Sequence, residues 1–564
     1  MRRQLFFFLF TSFVFHLSAQ PDLYLKGNIA PTEGILLTAL NDHQWQSEVT
    51  LDDSNVFLFS DKYVYFHCPS TNYRSDNIRI NGGTYTVTFD MNTKRWTFTA
   101  PVDDCRISAF GSSVCNGQGA TGNRGYAYLY GEQLRERYAS QTSDNAFYVS
   151  GISIGGNNTQ NLLDRYAELT RDHSRYVIVG LSMGNEGIHE SANKQQTLNQ
   201  FATNMQTIIR RIKADGKVPV VMNNYTRGDF TLEDYSYIKQ MNLLIHEWDV
   251  TSVNTLGAID DGTGKWASGY MADNAHPTTN GHQEFFYAMT PSLFDAIASG
   301  KAQPVRDTTN ILTLRGGDIV SFRGEGTVHP FTISLRVRGN DAGELLRYRM
   351  TAGIRQGSLS IDTLGRVVYT NATNRTLTTA ATLSDGLWHT VTLTHYYAQG
   401  RTLLYLDDAP AGELRERISS LAQVTVGDTT TTVTRQLSEL FFWRSALSPD
   451  EVQAVAGGRL LKSSLELYVP ATPTLSNLAM SLNSVTFIGG EAALIPGDVN
   501  GDGEVGIGDI VAVTNLMAAL AGDGLPVANA DVNHDGVVGI GDIVAITNLM
   551  AGIAFSRRHA RHGG

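Results

Sequence analysis

Cysteine is scarce. Three residues in 564, Cys68, Cys105 and Cys115, cannot build a disulfide framework, and one pair is the most they could form after export. Positive charge is not in excess either: 44 Lys and Arg stand against 55 Asp and Glu, a formal net charge of -11. That argues against a nucleic-acid binder, which would normally show a basic face. Beyond the N-terminus no apolar run is long enough to cross a bilayer, so no membrane span is expected in the mature protein. The one apolar run, residues 5–17, follows Arg2 and Arg3 and precedes Ser18-Ala19-Gln20. This layout predicts a signal peptide over 1–20 and a secreted or cell-surface bacterial protein. No cysteine follows the run, which argues against a lipoprotein anchor.

What is present is the composition of a folded protein, 42% hydrophobic and 18% charged, with 54 glycines that favour turn-rich β modules. The length is too great for one core. Residues 21–101 alternate short apolar runs, such as Val64-Tyr65-Phe66, with turn residues, the pattern of a β-sandwich. Residues 102–302 change to strand–helix alternation. Strand-like runs at 107–110, 146–154, 176–181 and 218–222 are separated by helical stretches. The clearest helix has Leu198, Phe201, Met205, Ile208, Ile209 and Ile212 at three- and four-residue steps. Repeated βα units predict a parallel sheet covered by helices on both faces, with chemistry at the carboxyl ends of its strands. Residues 303–470 return to strands, 471–496 read as a linker or a remaining strand pair, 497–554 hold a duplicated loop–helix text, and 555–564 form a basic tail.

Four stretches of the βα segment carry chemistry. Gly111-Ser112-Ser113-Val114-Cys115-Asn116-Gly117 follows the first strand, where a strand-to-helix turn exposes a hydroxyl and leaves N–H groups free to face negative charge. Ser153-Ile154-Gly155-Gly156-Asn157 follows the second strand, and Gly180-Leu181-Ser182-Met183-Gly184-Asn185-Glu186 the third. In Ala272-Asp273-Asn274-Ala275-His276-Pro277, the two-residue gap lets one loop present a carboxylate and an imidazole to one pocket. Singly, each has a plain structural reading. Gly-Ser-Ser is a common turn, Gly155-Gly156 a turn before a helix, Asn185 a helix N-cap, and Asp273 a cap beside a surface His276.

Together and in this order, the stretches resemble the four blocks of the SGNH (GDSL-like) hydrolases, over roughly 105–290. The resemblance implies a flavodoxin-like three-layer α/β domain with a central parallel sheet. It implies Ser113 as nucleophile, His276 as general base and Asp273 as the group orienting the imidazole. Ser113, Gly156 and Asn185 become the oxyanion donors, with Gly155 the neighbouring alternative to Gly156. Ser112 stands where the family commonly has Asp, and Glu186 replaces the Asp of Gly-x-Asn-Asp; neither position belongs to the reacting groups. No cofactor is implied for catalysis. Cys115 reads as a small packing residue rather than a catalytic thiol. Trp248 and Trp266 read equally as sugar-site lining or as packing.

The flanking segments have resemblances of their own. Tyr24-Leu25-Lys26-Gly27 and Gly83-Thr84-Tyr85-Thr86-Val87 resemble small starch-binding-like β-domains, with a structural spacer the alternative. Asp385-Gly386-Leu387-Trp388-His389 and Trp443-Arg444-Ser445-Ala446-Leu447-Ser448 resemble laminin-G/concanavalin-like jelly rolls, in which these tryptophans are more often core than ligand platforms. The two C-terminal loops set Asp, Asn and Asp at positions one, three and five, Gly at six and Asp at twelve, oxygen donors suited to calcium. The first would use Asp498, Asn500, Asp502, Asp509 and the Glu504 carbonyl. The second would use Asp531, Asn533, Asp535, Asp542 and the Val537 carbonyl. This repeat resembles a type I dockerin, which implies two structural calcium ions and a cohesin or cell-surface scaffold as partner.

The expected whole is multidomain: a central SGNH-type α/β domain, flanking β-sandwiches and a small helical calcium-binding domain. The expected function is a secreted serine esterase acting on acylated polysaccharide, chiefly its O-acetyl groups. The alternatives are a non-catalytic glycan-binding surface protein, and a lipase or arylesterase of the same fold.

Overall fold

The computed structural model describes residues 22–27, 35–51, 56–59, 78–80, 83–92, 95–99, 102–137, 148–351, 356–428, 433–472, 474–489, 497, 499, 505–518, 530–533 and 537–551. The expected signal peptide, Cys68, the basic tail and the calcium-ligand candidates Asp498, Asn500, Asp502, Glu504 and Asp535 lie outside the described residues. The chain divides into two units. One is Met1–Asp103 with Asp164–His173, the other Asp104–Leu163 with Ser174–Gly564.

In the first unit, strands β1 (Leu23–Gly27), β2 (Ile35–Asn41), β3 (Gln44–Leu51), β4 (Val56–Phe59), β5 (Ile78–Ile80), β6 (Gly83–Asp90) and β7 (Arg95–Thr99) run in the order β5-β4-β1-β2-β3-β6-β7. Neighbours pair antiparallel. Alternation decides which face is buried: Tyr85, Val87 and Phe89 of β6 join Leu23, Leu25, Leu37, Trp45 and Val49 in one cluster.

The second unit opens with the βα segment. Its strands are β8 (Asp103–Gly111), β9 (Tyr148–Gly151), β10 (Ser174–Gly180), β11 (Val218–Met222) and β12 (Thr251–Val253). Its helices are α1 (Tyr126–Arg137), α2 (Thr159–Asp164), α3 (Tyr166–Arg171, on the stretch grouped with the first unit), α4 (Lys194–Ala214), α5 (Leu232–Glu247), α6 (Leu256–Ile259), α7 (Thr279–Tyr287) and α8 (Leu293–Ala298). The strand order is β12-β11-β10-β8-β9, with parallel pairing from β8 to β9 and from β10 through β12. In chain order this is the 2-1-3-4-5 doubly wound arrangement. The winding reverses between β8 and β10, so the crevice above those two carboxyl ends is the natural ligand site. Ile107, Ala109, Tyr176, Ile178, Val220 and Met222 share one cluster with α1 and α7. The intervening Val177, Val179 and Val221, also buried, point to the face where α4 lies against β11.

Two details differ from the sequence reading. β9 is shorter than the run at 146–154, although Ile152 and Ile154 still donate their N–H groups to Ala109 O (3.0 Å) and Gly111 O (3.1 Å). β12 went unseen because three residues, two of them polar, show no period.

Residues 312–488 form two seven-stranded sheets of antiparallel pairs. Leu335, Val391, Leu404 and Leu440 of one meet Leu346, Leu359, Val424 and Val426 of the other in one core. Trp443 is fully buried and donates its indole N–H to Leu461 O at 2.8 Å. Trp388 is half-buried, with the Arg336 and Arg338 guanidinium carbons 5.1 and 5.0 Å from its ring centroid. Within the described residues of 471–496 the strand alternative holds. Val485–Ile488 pairs antiparallel with Ile319–Phe322 at a sheet edge, and Val485 is buried in the core.

Buried polar groups join this sandwich to the α/β domain. Glu451, on α9 (Pro449–Ala456), accepts at Oε1 from Asn254 Nδ2 (2.8 Å) and His246 Nε2 (3.1 Å). His246 Nδ1 accepts from the Ser463 amide at 3.1 Å, which fixes the ring as a neutral tautomer. The Ser252 and Ser463 hydroxyls lie 2.6 Å apart, and Arg444 Nε donates to Tyr287 O at 2.7 Å. At the C-terminal end, α10 (Ile507–Met517) and α11 (Ile540–Met550) pack together through Ala512, Val513, Ala545 and Ile546.

Candidate active site

Ser113 stands in the turn directly after β8, at the switch point. The Ser112 amide donates to Gly180 O of β10 at 3.2 Å, and the turn is wound by Asn116 N to Ser112 O (3.0 Å) and Gln118 N to Ser113 O (2.9 Å). Gly119 then lets this turn touch the distant loop of Asp273 and His276. It has φ +98°, and a Cβ there would lie 2.1 Å from Pro277 O and 3.1 Å from His276 Cβ. Only glycine permits that approach.

The contact aligns three side chains. Ser113 Oγ donates to His276 Nε2 at 2.9 Å, and His276 Nδ1–H donates to Asp273 Oδ1 and Oδ2 at 2.8 and 2.9 Å. Because a carboxylate only accepts, Nδ1 carries the proton and Nε2 is left as the base. Ser113 is 8% exposed. Partial burial alone would raise the Asp273 carboxyl, but its bonds from the His276 ring and the Ala275 and His276 amides outweigh this and hold it below its ordinary value. Asp273 is therefore ionised wherever the imidazole needs it.

Gly156 has φ +78°, and neither its amide nor that of Ser113 donates a backbone hydrogen bond within the described residues. The neighbouring Gly155 faces Ser113, with a Cβ position 3.8 Å from Ser113 Cβ. Asn185 Nδ2 donates to Asn157 O at 2.8 Å, which orients the amide and leaves its second N–H available. Asn185 is not a helix cap; α4 is capped by Asn193. Glu186 accepts from the Thr159 amide at 2.5 Å, so the departure from the family pattern ties the second and third blocks together. Burial raises its carboxyl, against the pull of Thr159.

Trp266 is 6% exposed and packs on Tyr225 and Phe285. Trp248 ends α5 ahead of β12, at the amino edge of the sheet, away from the site. Cys115 is buried beside the Tyr126 hydroxyl. Among the described residues no group of three His, Cys, Asp or Glu could hold a metal, and no described helix is long and apolar enough to cross a membrane.

In the C-terminal repeats, Asp509 and Asp542 are fully buried. Asp509 accepts from the Val499 and Gly506 amides (both 2.7 Å), Asp542 from those of Asn533 (3.1 Å) and Gly539 (2.8 Å). Each carboxylate is thus held inside its own loop.

One segment escaped the sequence reading. Residues 224–229, after β11, contact both the Asn185 block and the Asp273–His276 loop, through side chains and backbone alike. The only sequence signal was the polar pair Asn223-Asn224 at a strand end.

Residues 109–284 match the GDSL-like lipase/acylhydrolase family, and residues 496–551 the type I dockerin domain. The chain thus contains a hydrolase domain of the esterase type and a dockerin domain. No curated protein matches it. Among solved structures it is similar to a catalytic mutant of an acetylxylan esterase from Geobacillus stearothermophilus (14% identity, 32% of this chain and 91% of that chain, TM-score 0.27). It is also similar to a lipolytic protein of the G-D-S-L family from Desulfitobacterium hafniense (12% identity, 33% and 97%, TM-score 0.27). A third is a heptameric SAP-like pentraxin from Limulus polyphemus (16% identity, 34% and 100%, TM-score 0.26).

Proposed function

We propose that the protein is an exported serine esterase that removes O-acetyl groups from polysaccharide, with Ser113, His276 and Asp273 as its catalytic triad. One observation carries the reading: the unbroken chain from the Ser113 hydroxyl through both ring nitrogens of His276 to the Asp273 carboxylate. Ser113 attacks the ester carbonyl as His276 Nε2 takes its proton, and Asp273 stabilises the imidazolium. The Ser113 and Gly156 amides and the Asn185 side chain receive the oxyanion. His276 returns the proton to the departing sugar hydroxyl, and water, deprotonated by the same imidazole, releases acetate.

Ser113→Ala should lower release of p-nitrophenol from p-nitrophenyl acetate by about 10³-fold or more without unfolding the protein. A folded, active alanine variant removes Ser113 from the mechanism. Acetate release from acetylated xylan or pectin, compared with hydrolysis of long-chain esters, separates the carbohydrate esterase from a lipase. Activity on neither leaves the glycan-binding surface protein.

The C-terminal repeats fit two calcium ions. Their donors are hard oxygens, and Asp509 and Asp542 are buried and aimed into the loops by backbone N–H groups. Asp498, Asn500, Asp502, Glu504 and Asp509 would hold one ion; Asp531, Asn533, Asp535, Val537 and Asp542 the other. Calcium would neutralise the clustered carboxylates, so EDTA should reduce the helical circular dichroism of the repeats. Duplicate apolar groups stand exposed, Ile507 (71%) and Val511 (52%) on α10, Ile540 (70%) and Val544 (54%) on α11. They favour a cohesin-type partner, which would place the enzyme outside the cell.

A further inference from the structure

The segment 224–229 spans the two halves of the site. Toward the Asn185 block, Asn224 Oδ1 accepts the Met183 amide (2.7 Å), Tyr225 O accepts the Ser182 hydroxyl (3.2 Å), and Arg227 Nη1 donates to Gly184 O (3.2 Å). Toward the His276 loop, the Gly228 amide donates to Asn274 O (2.8 Å) and the Thr226 hydroxyl to Gly264 O. The Tyr225 ring stacks on Trp266 at 6.0 Å, and Trp266 Nε1 also donates to Asn274 O (3.1 Å). Asn274 lies between Asp273 and His276; Gly184 immediately precedes Asn185.

The segment is built to be rigid. Asn224, Tyr225 and Thr226 are buried, and Asn224 exchanges hydrogen bonds with Asn242 of α5 through its amide N–H (2.9 Å), carbonyl (2.9 Å) and Nδ2 (3.3 Å). Arg227, Gly228 and Asp229 are partly exposed. Asp229 grips the Arg227 guanidinium through Nε (3.0 Å) and Nη2 (2.8 Å), which turns Nη1 toward Gly184 O. Gly184 has no side chain to intervene: a Cβ there would lie 2.5 Å from Arg227 Cδ. A planar fork filling three acceptor positions has no equivalent in lysine.

We propose that Arg227, clamped by Asp229, is a positioning residue that holds the Asn185 oxyanion donor in register with the Ser113–His276 pair. This rests on the esterase reading above. Nothing assigned to substrate binding changes when the strap is cut. What is lost is the alignment of a donor that matters only once the oxyanion forms.

The test uses the full chain with p-nitrophenyl acetate. Arg227→Ala should lower kcat by about tenfold or more while KM stays within about twofold. Arg227→Lys should not recover the loss, and millimolar methylguanidinium added to Arg227→Ala should restore part of kcat. A purely structural role would give neither the kcat-only loss nor the chemical rescue. An unchanged kcat, or a raised KM at constant kcat, overturns the proposal. If Arg227→Ala does not fold, Asp229→Asn decides: kcat should fall several-fold at constant KM, and wild-type kinetics overturn the proposal. Ser113→Ala run alongside keeps the two readings apart. Wild-type protein without activity, or an active serine variant, fails the esterase itself; an inactive serine variant beside a wild-type-like Arg227→Ala fails only the positioning role.

Discussion

Residue by residue, the site depends on groups held in one protonation state. His282, on α7, is fully buried, and its Nε2–H donates to Gln118 O at 2.9 Å, beneath the serine turn. Its Nδ1 is buried without a partner, so a second proton would have nowhere to bond. Burial, with a smaller push from His276, lowers the imidazole to about 4 against the opposing pull of Gln118 O. The unfolded chain titrates near 6.5, so between those values it binds a proton that the folded protein refuses. Stability should therefore fall as pH drops through that window, by up to about 3 kcal/mol from this group. His282→Gln can keep a donor toward Gln118 O and cannot titrate, so its denaturation midpoint should change less between pH 7 and 4.5 than wild type's. Equal acid sensitivity would refute the assignment. The four blocks were legible because each is a short turn in which glycines and polar side chains stand at fixed spacing. His282 and Arg227 were not, because their partners are carbonyl oxygens that no sequence displays.

At the scale of elements, the loop carrying Asn185 is anchored where α5 begins. Asp234, wholly buried, closes a capping box with Thr231 and also accepts from His189 Nδ1 (2.8 Å) and Lys194 Nζ (2.6 Å). Burial would raise its carboxyl, but these donors prevail and bring it to about 2. A depressed carboxyl stabilises the fold above about 4, and that contribution disappears as pH falls toward 2. Asp234→Ala should cost about 3 kcal/mol at pH 7 in urea denaturation, from a lost cap and a Lys194 left without its carboxylate. A cost under about 0.5 kcal/mol would show the cluster to be idle. Strands and helices of the α/β domain were readable where their apolar period was long, as in α4. The three-residue β12 was not, and the edge strand Val485–Ile488 was legible only as an alternative to a linker: both are held by neighbours, and so short a run carries no period of its own.

On the scale of the molecule, the α/β domain and the sandwich of residues 312–488 share buried polar contacts as well as apolar ones. Asn254, His246 and Ser252 are each at most 3% exposed, and each is satisfied by Glu451 or Ser463. Cutting the chain after residue 302 would leave these groups without partners, at about 1–3 kcal/mol for each that water does not reach. Residues 21–489 should therefore express as a soluble, active esterase, whereas 21–302 should aggregate or lack activity. Full turnover by the shorter piece would show the sandwich to be dispensable. The border at 302 looked natural in sequence because composition changes there, while the polar partners lie some 150 to 210 residues further along.

The Glu451 junction also limits how this enzyme can be redirected. Exchanging the sandwich for a different module would strand the neutral imidazole of His246 and the amide of Asn254 against a foreign surface. New modules are better appended after residue 489, since Ile488 and Gly489 are already exposed.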